Sequence, residues 1–129
     1  MSEPVWLQRR VLELLHSESI AEHGGADGLR DEGLFESALA RPKNLHAYED
    51  VTDLKRLAAS YAFGLAKNHA FIDGNKRIAF IAAVLFLRIN GRRLTADQAE
   101  ATLVMLSLAS GAMSEDEFAV WIRKNMAKG

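Results

Sequence analysis

The sequence predicts an all-α fold, because apolar residues recur at helical spacing along the chain and no segment of any length alternates as a strand does. The 129 residues include only two prolines and nine glycines, so long stretches contain no helix breaker. The longest apolar run, from Ile78 to Leu87, is typical of a helix buried on all sides. We therefore expect one compact domain over residues 1–129, with about six helices, of which this buried one is the central helix.

Helix breakers define the first two helices. The first has an apolar face that begins at Leu7 and is predicted to end at the adjacent Gly24 and Gly25. The second is predicted to be short and to end near Pro42, because proline disfavours helical geometry in the residue before it. Residues 43–51 have no clear period and are expected to form an exposed connection.

Capping residues and glycine mark the later helices. Thr52 or Asp53 is a suitable N-cap for a third helix. The buried helix that follows is predicted to end at Asn90-Gly91. The segments at residues 95–98 (Thr-Ala-Asp-Gln) and 114–117 (Ser-Glu-Asp-Glu) match the capping box, so two further helices are expected to begin there.

Composition excludes several classes of protein. The formal net charge is −1, so the chain has no general attraction for nucleic acid or for an anionic membrane. The absence of cysteine removes disulfides, thiol nucleophiles and thiolate metal ligands. The first residues lack the pattern of a signal peptide, and the apolar run is too short to span a membrane. We therefore expect a cytoplasmic protein with no direct nucleic-acid partner and no membrane partner.

The most informative segment is His-Ala-Phe-Ile-Asp-Gly-Asn-Lys-Arg at residues 69–77, directly before the buried helix. It places an imidazole, a carboxylate, an amide and two cations around a glycine suited to a tight turn. The first N–H groups of the helix have no internal partner, and the helix dipole is positive there. Lys76 and Arg77 fall in this first turn, where cations oppose the dipole. We therefore predict an anion between these cations and the helix start.

Each polar residue of the segment has a chemical role and a structural alternative. His69 is the natural general base, because its unperturbed pKa lies near neutrality, whereas a lone histidine more often caps a helix or packs in a core. Asp73 is a candidate Mg²⁺ ligand or a cap of the next helix. Asn75 can donate its amide to a phosphate or to the loop backbone. Lys76 and Arg77 can clamp phosphates or form a solvated surface pair.

Together, a base, a metal ligand, a glycine turn and a cationic helix start match the requirements of phosphoryl or nucleotidyl transfer. The sequence contains neither a Walker loop nor the H-E-x-x-H pattern of a zinc site. His16, His23 and His46 have no spacing typical of metal ligands, and we expect His16 and His46 at surface or packing positions.

The segment resembles the signature of the Fic/Doc superfamily, which in the Fic branch reads H-P-F-x-[D/E]-G-N-G-R-x-x-R. The matching residues are His69, Phe71, Asp73, Gly74, Asn75 and Arg77. Lys76 in place of the second glycine and Phe80 in place of the final arginine look like the Doc (death-on-curing) branch, whose pattern is close to H-x-F-x-[D/N]-[A/G]-N-K-R. The likeness extends over roughly residues 16–110 and includes the His-Gly-Gly segment that begins at His23.

This resemblance implies a toxin that transfers the γ-phosphate of ATP to a Ser or Thr hydroxyl of a translation factor and so arrests growth. The implied substrate is elongation factor Tu. The implied catalytic residues are His69, Asp73, Lys76 and Arg77, with Asp73 as the Mg²⁺ ligand. The implied ATP-binding residues are Gly74, Asn75, Lys76 and Arg77. Residues 43–51 resemble the flap with which family members position the target chain.

The resemblance also implies restraint by a cognate antitoxin whose disordered tail folds as a helix into a surface groove, because the inhibitory pattern [S/T]-x-x-x-E-[G/N] does not occur in this sequence. Two other functions stay open: a Fic-type protein AMP-transferase with an unusual motif, and a non-catalytic binding module on the same fold. Transfer of label from the γ or the α phosphate of ATP distinguishes the kinase from the AMP-transferase.

Overall fold

The computed structural model describes residues 3–128, which form six helices and one small antiparallel sheet. The helices are α1 (Arg9–His23), α2 (Glu32–Glu49), α3 (Leu54–Asn68), α4 (Asn75–Ile89), α5 (Gln98–Ser110) and α6 (Glu115–Lys124), and the strands are β1 (Arg92–Leu94) and β2 (Met126–Lys128). The predicted all-α domain with a central buried helix after the motif is confirmed. Within residues 3–128, no helix combines the length and apolarity needed to cross a bilayer.

The core lies around α3 and α4, which pack against each other. α3 also contacts α2, α5 and α6, while α4 also contacts α1 and α5. Leu57 on α3 and Phe86 on α4 are fully buried among small alanines, which allow the helices to approach closely. Tyr61 lies in the same core, where its hydroxyl accepts the N–H of Leu7 at 3.1 Å and burial raises the pKa of Tyr61 to about 12.

α2 is longer than the sequence predicts. Pro42 lies inside this helix, which continues to Glu49, so the expectation that residues 43–51 form an exposed connection is wrong for most of that segment. The proline ring is buried, and burial offsets the hydrogen bond that proline cannot donate. One turn earlier, Ala38 packs on α3 at Gly64, where an added Cβ would lie 3.3 Å from Ala38 Cα. This close packing holds the turn before Pro42 helical.

The start of α5 also differs from the prediction. Thr95 extends the pairing of β1 with β2, since its N–H and its hydroxyl both donate to the carbonyl of Asn125, at 2.6 and 3.0 Å. Asp97 caps α5 instead, by accepting the N–H of Glu100 at 3.1 Å. The two strands escaped sequence analysis because three residues are too few to display alternation.

Two predicted N-caps are confirmed. Ser114 Oγ accepts the N–H of Glu117 at 3.0 Å, and Glu117 Oε1 accepts the N–H of Ser114 at 2.8 Å, which is the complete capping box of α6. Asp53, one of two candidates, caps α3 through the N–H of Lys55 at 3.0 Å. α4 ends at Ile89, directly before the predicted Asn-Gly stop.

An ion cluster centred on Arg9 joins α1 to α2. The guanidinium pairs with Glu13 of its own helix and with Glu32 and Glu36 of α2. It also lies over the ring of Phe35, 5.2 Å from the ring centroid. Hydrogen bonding to the three carboxylates, of which Glu32 contributes most, raises the pKa of Arg9 above its usual range. The hydrogen bond from Arg9 lowers the pKa of Glu32.

Replacing Arg9 with methionine is expected to lower the Tm at neutral pH and low salt, because three clustered carboxylates lose their shared cation. The folded-state pKa of Glu32 is lowered, so this contribution is present above the unfolded-state pKa of glutamate, about 4.3, and is lost as the pH falls through the folded value. The Tm difference from wild type should therefore shrink as the pH falls below the unfolded-state pKa of glutamate, and also in about 1 M NaCl.

Arg10→Met is the matched control, because Arg10 is an exposed neighbour with no ion pair in the described part of the chain. Equal Tm losses in the two variants, measured by calorimetry, would contradict a specific role for Arg9.

Candidate active site at the turn between α3 and α4

His69 terminates α3 with an exposed side chain and a left-handed backbone. It is the C-cap residue, with a φ of 50°. This conformation is uncommon for a residue with a side chain and needs support from its surroundings. Arg30 gives that support, since its Nε donates to the carbonyl of His69 at 2.7 Å and its Nη2 donates to the carbonyl of Asn68 at 3.1 Å. Arg30 therefore satisfies carbonyls at the end of α3 and holds the backbone of the candidate base.

Residues 24–31, here named the glycine loop, lie along the motif loop of residues 69–74. An isolated antiparallel bridge pairs Leu29 with Phe71. The segment beside the motif is therefore the glycine loop, whereas residues 43–51, which were expected to form a flap, belong largely to α2. Backbone pairing across such a distance in sequence leaves no local pattern that could predict it.

Asp73 is exposed, and the glycine loop holds one of its carboxylate oxygens. Oδ2 accepts the N–H of Ala26 at 2.7 Å, while Oδ1 has no hydrogen bond to any residue between 3 and 128. Gly25 permits this approach, because its φ is +114° and an added Cβ would lie 3.2 Å from Asp73 Cβ. The carboxylate does not cap α4, since the N-cap is Gly74 and no side chain closes that end. Asp73 therefore stays a candidate cation ligand and is not a helix cap.

The surroundings of Asp73 suit Mg²⁺ better than a metal held by protein alone. The described residues contain no group of three or more His, Asp or Glu side chains able to hold a metal ion. Mg²⁺ does not require such a group, because it binds through one or two carboxylates, substrate phosphates and water. A single exposed carboxylate beside an anion site meets that requirement.

Asn75 is buried, 7% exposed, and its amide closes the motif loop. Its Oδ1 accepts the N–H of Phe71 and its Nδ2 donates to the carbonyl of Phe71, both at 3.0 Å. Of the two uses predicted for this amide, the structure contains the hydrogen bonds to the loop backbone. A contact between Asn75 and a phosphate stays a prediction.

The start of α4 has the properties of an anion site. The first hydrogen bond of the helix runs from the N–H of Ile78 to the carbonyl of Gly74 at 3.0 Å, and the N–H groups of Asn75, Lys76 and Arg77 have no acceptor among residues 3–128. The first turn contains no acidic residue. The side chains of Lys76 and Arg77 are exposed, and neither forms an ion pair in the described chain. Cations that oppose the dipole and lack a protein partner favour a bound anion.

A groove lies beside this site, between α1, α4 and α5. It consists of two adjoining cavities of about 170 and 280 Å³ that share His23, Arg77, Phe80 and Gln98. Its apolar lining comes from all three helices and comprises Leu15, Phe80, Ile81, Ala101 and Met105. Because Arg77 lines both cavities, this α1–α4–α5 groove is continuous with the candidate anion site.

Sequence analysis missed two residues that support the turn, Arg30 and His16. His16 was expected at a surface or packing position, and it is buried with its Nε2 2.7 Å from the carbonyl oxygen of Asp73. His46, for which the same expectation was made, packs edge-on against the ring of Trp6 at 5.6 Å. Neither Arg30 nor His16 stands at a spacing from the motif that would reveal its contact.

Comparison with known proteins gives matches that agree with one another. A family model described as Fic/DOC family matches residues 6–87, a range that contains both the glycine loop and the motif loop. The chain is 36% identical over 110 residues to "Protein kinase doc" of Escherichia phage P1, which covers 85% of this chain and 86% of that protein. It is 44% identical over 86 residues to "Toxin Doc" of Mycolicibacterium smegmatis, which covers 66% of this chain and 65% of that protein.

Replacing Asn75 with alanine is expected to lower the free energy of unfolding by about 2 kcal/mol without any ligand, because it leaves the buried N–H and carbonyl of Phe71 without partners. Lys76→Ala, at the next and exposed position, should change it by less than about 0.5 kcal/mol. Urea denaturation of both variants provides the measurement. A similar small effect in both would mean that the amide of Asn75 does not stabilise the loop.

Proposed function

Since the chain belongs to the Fic/DOC family, we propose that it is a Doc-type toxin that transfers the γ-phosphate of ATP to a Ser or Thr hydroxyl of a protein. The observation that carries this proposal is the start of α4, where, among residues 3–128, Lys76 and Arg77 form no ion pair and three backbone N–H groups have no acceptor. The short loop that leads into this helix carries the exposed side chains of His69 and Asp73. The names of the two relatives support both a toxin and a kinase.

In this proposal His69 accepts the proton of the target hydroxyl. The hydroxyl oxygen then forms a bond to the γ-phosphorus of ATP, while the bond between that phosphorus and the ADP leaving group breaks. The exposed imidazole suits this role, because both the target chain and solvent can reach it. Asp73 would hold Mg²⁺ through its carboxylate. When bound, Mg²⁺ supplies positive charge that offsets the charge on the phosphate oxygens.

Lys76, Arg77 and the backbone N–H groups at the start of α4 would hold the phosphate oxygens as charge develops on them. Gly74 supports this arrangement, because its φ of +76° brings the chain into the helix without a side chain over the N–H groups. Asn75 would contribute by shaping the loop with its amide. Its backbone N–H, which has no acceptor among residues 3–128, would be one of the three that hold phosphate.

We further propose that the target is elongation factor Tu in the cytoplasm and that its phosphorylation arrests translation. A cognate antitoxin would restrain the enzyme by placing a helical tail in the α1–α4–α5 groove. The groove suits an amphipathic helix, since apolar residues of all three helices line it together with charged ones such as the exposed Glu18 and Glu22. A tail seated there would also cover Arg77, which lines the groove.

The His69→Ala protein is expected to lose protein-labelling activity by about 10²- to 10⁴-fold, because the positioned base is removed while an exposed side chain contributes little to folding. Purified protein with Mg²⁺, labelled ATP and a bacterial extract gives the measurement, with circular dichroism as the check on folding. Arg88→Ala, at the exposed far end of α4, is the matched control and should retain activity.

The position of the label provides the decisive comparison. Transfer from γ-labelled ATP alone supports the kinase, transfer from α-labelled ATP means AMP transfer, and full activity of His69→Ala would refute the assigned base.

Thr102→Arg is expected to weaken inhibition by the cognate antitoxin about tenfold or more, because Thr102 is exposed and lines the groove, where a long cation would occupy the space of the tail. Leu103→Arg is the matched control, since Leu103 is the adjacent residue of α5, is 65% exposed and lines neither cavity of the groove. Titration of labelling activity with antitoxin measures the effect. Equal inhibition of the Thr102 variant and wild type would place the antitoxin elsewhere.

A further inference from the structure

We infer that His16 is a positioning residue of the proposed site: its imidazole holds the backbone turn at Asp73 and Gly74, from which the proposed Mg²⁺ ligand and the anion-binding N–H groups project. The role of His16 in catalysis rests on the proposed function. The contact between His16 and the turn does not, because it is part of the folded structure.

Burial and stacking show that the ring of His16 is part of the motif loop's support. The residue is 1% exposed, although it lies on α1, far from the motif in sequence. Its ring stacks on the ring of Phe71, with centroids 3.8 Å apart and planes inclined by 19°. Its Nε2 would lie 3.5 Å from a Cβ on Gly74, so the ring also fills the space beneath the N-cap of α4.

A directed hydrogen bond distinguishes His16 from an ordinary packing residue. Nε2 lies 2.7 Å from the carbonyl oxygen of Asp73, and a carbonyl can only accept, so Nε2 carries the proton of this bond. Nδ1 faces the glycine loop, 3.4 Å from Asp27 Oδ1. That carboxylate is itself held by the N–H of Gly28 at 2.8 Å and by the hydroxyl of Ser17 at 3.2 Å.

The hydrogen bond acts on the two features that the proposed chemistry requires. The carbonyl of Asp73 belongs to the peptide that joins Asp73 to Gly74, so fixing this oxygen fixes the plane of that peptide. Rotation of the plane would turn the Asp73 side chain away from Ala26 on one side and reorient the start of α4 on the other. Supporting contacts of this kind typically change metal affinity by about 10- to 100-fold when they are removed.

Two substitutions separate the hydrogen bond from the stacking. His16→Phe keeps an aromatic ring against Phe71 and removes the donor. His16→Gln loses the ring, and its side-chain amide can place an N–H close to the position of Nε2. If His16 acts through the carbonyl of Asp73, the loop should be impaired in the Phe variant and largely preserved in the Gln variant, even where the Gln variant has the lower Tm.

The first measurement requires neither ATP nor a metal. Hydrogen–deuterium exchange of peptides covering residues 70–75 should be faster by about tenfold in His16→Phe than in wild type, and should lie within about threefold of wild type in His16→Gln. Wild-type exchange rates in the Phe variant would overturn the inference, and so would equal acceleration in both variants, since that result indicates packing alone.

The second measurement connects the contact to the proposed function. Mn²⁺, used as a paramagnetic substitute for Mg²⁺ with a non-hydrolysable ATP analogue, should bind about tenfold more weakly to His16→Phe and near wild-type strength to His16→Gln. Unchanged binding in the Phe variant would overturn the positioning role. If wild type itself binds no Mn²⁺–nucleotide and labels no protein, the proposed function fails, and the exchange measurement alone decides whether His16 holds the turn.

Discussion

The hydrogen bonds that α1 and the glycine loop make to the motif loop are the constraint on which the site depends. The chain passes from α3 to α4 within residues 69–74, and a turn this short cannot satisfy all of its own backbone groups. Arg30 binds carbonyls at the end of α3, and the ring of His16 binds the carbonyl of Asp73. Because these partners stabilise the turn, the exposed side chains of His69, Lys76 and Arg77 are not required for that purpose.

The start of α4 departs from the capping rule that four of the other five helices of residues 3–128 follow. α1 also has no side-chain cap, but Arg9 in its first turn pairs with three carboxylates. α2, α3, α5 and α6 each begin with an Asp or Ser cap, whereas α4 begins at Gly74 with no side-chain cap and continues with two cations. A missing cap lowers the stability of a helix by about 1 kcal/mol, and each cation in the first turn lowers it by a few tenths of a kcal/mol more. α4 tolerates these costs because residues such as Ile78 and Phe86 are fully buried in the core. Helix starts that lack favourable capping and charge, and that are stabilised by core packing instead, are typical of functional sites.

Features that neighbouring residues determine could be predicted from the sequence, and features that depend on distant packing could not. The capping box at Ser114 and the buried helix after the motif each lie within one short segment. The continuation of α2 past Pro42 depends on its contact with α3, which a one-dimensional pattern does not contain. The contacts of His16 and Arg30 with the motif join residues 57 and 39 positions apart. The exposed residues of the candidate site could therefore be proposed from the sequence, whereas the contacts that support them could not.

The distances in sequence between the motif and the residues that support it also affect when the site can form during synthesis. As α1 and the glycine loop leave the ribosome, the turn that they support has not yet been made, and as the motif leaves, most of α4 is still inside the exit tunnel. Until α5 and α6 have emerged, a nascent chain lacks part of the core that packs on α3 and α4. For a protein proposed to phosphorylate a translation factor, the site would then be complete only after the helices that enclose it have left the ribosome.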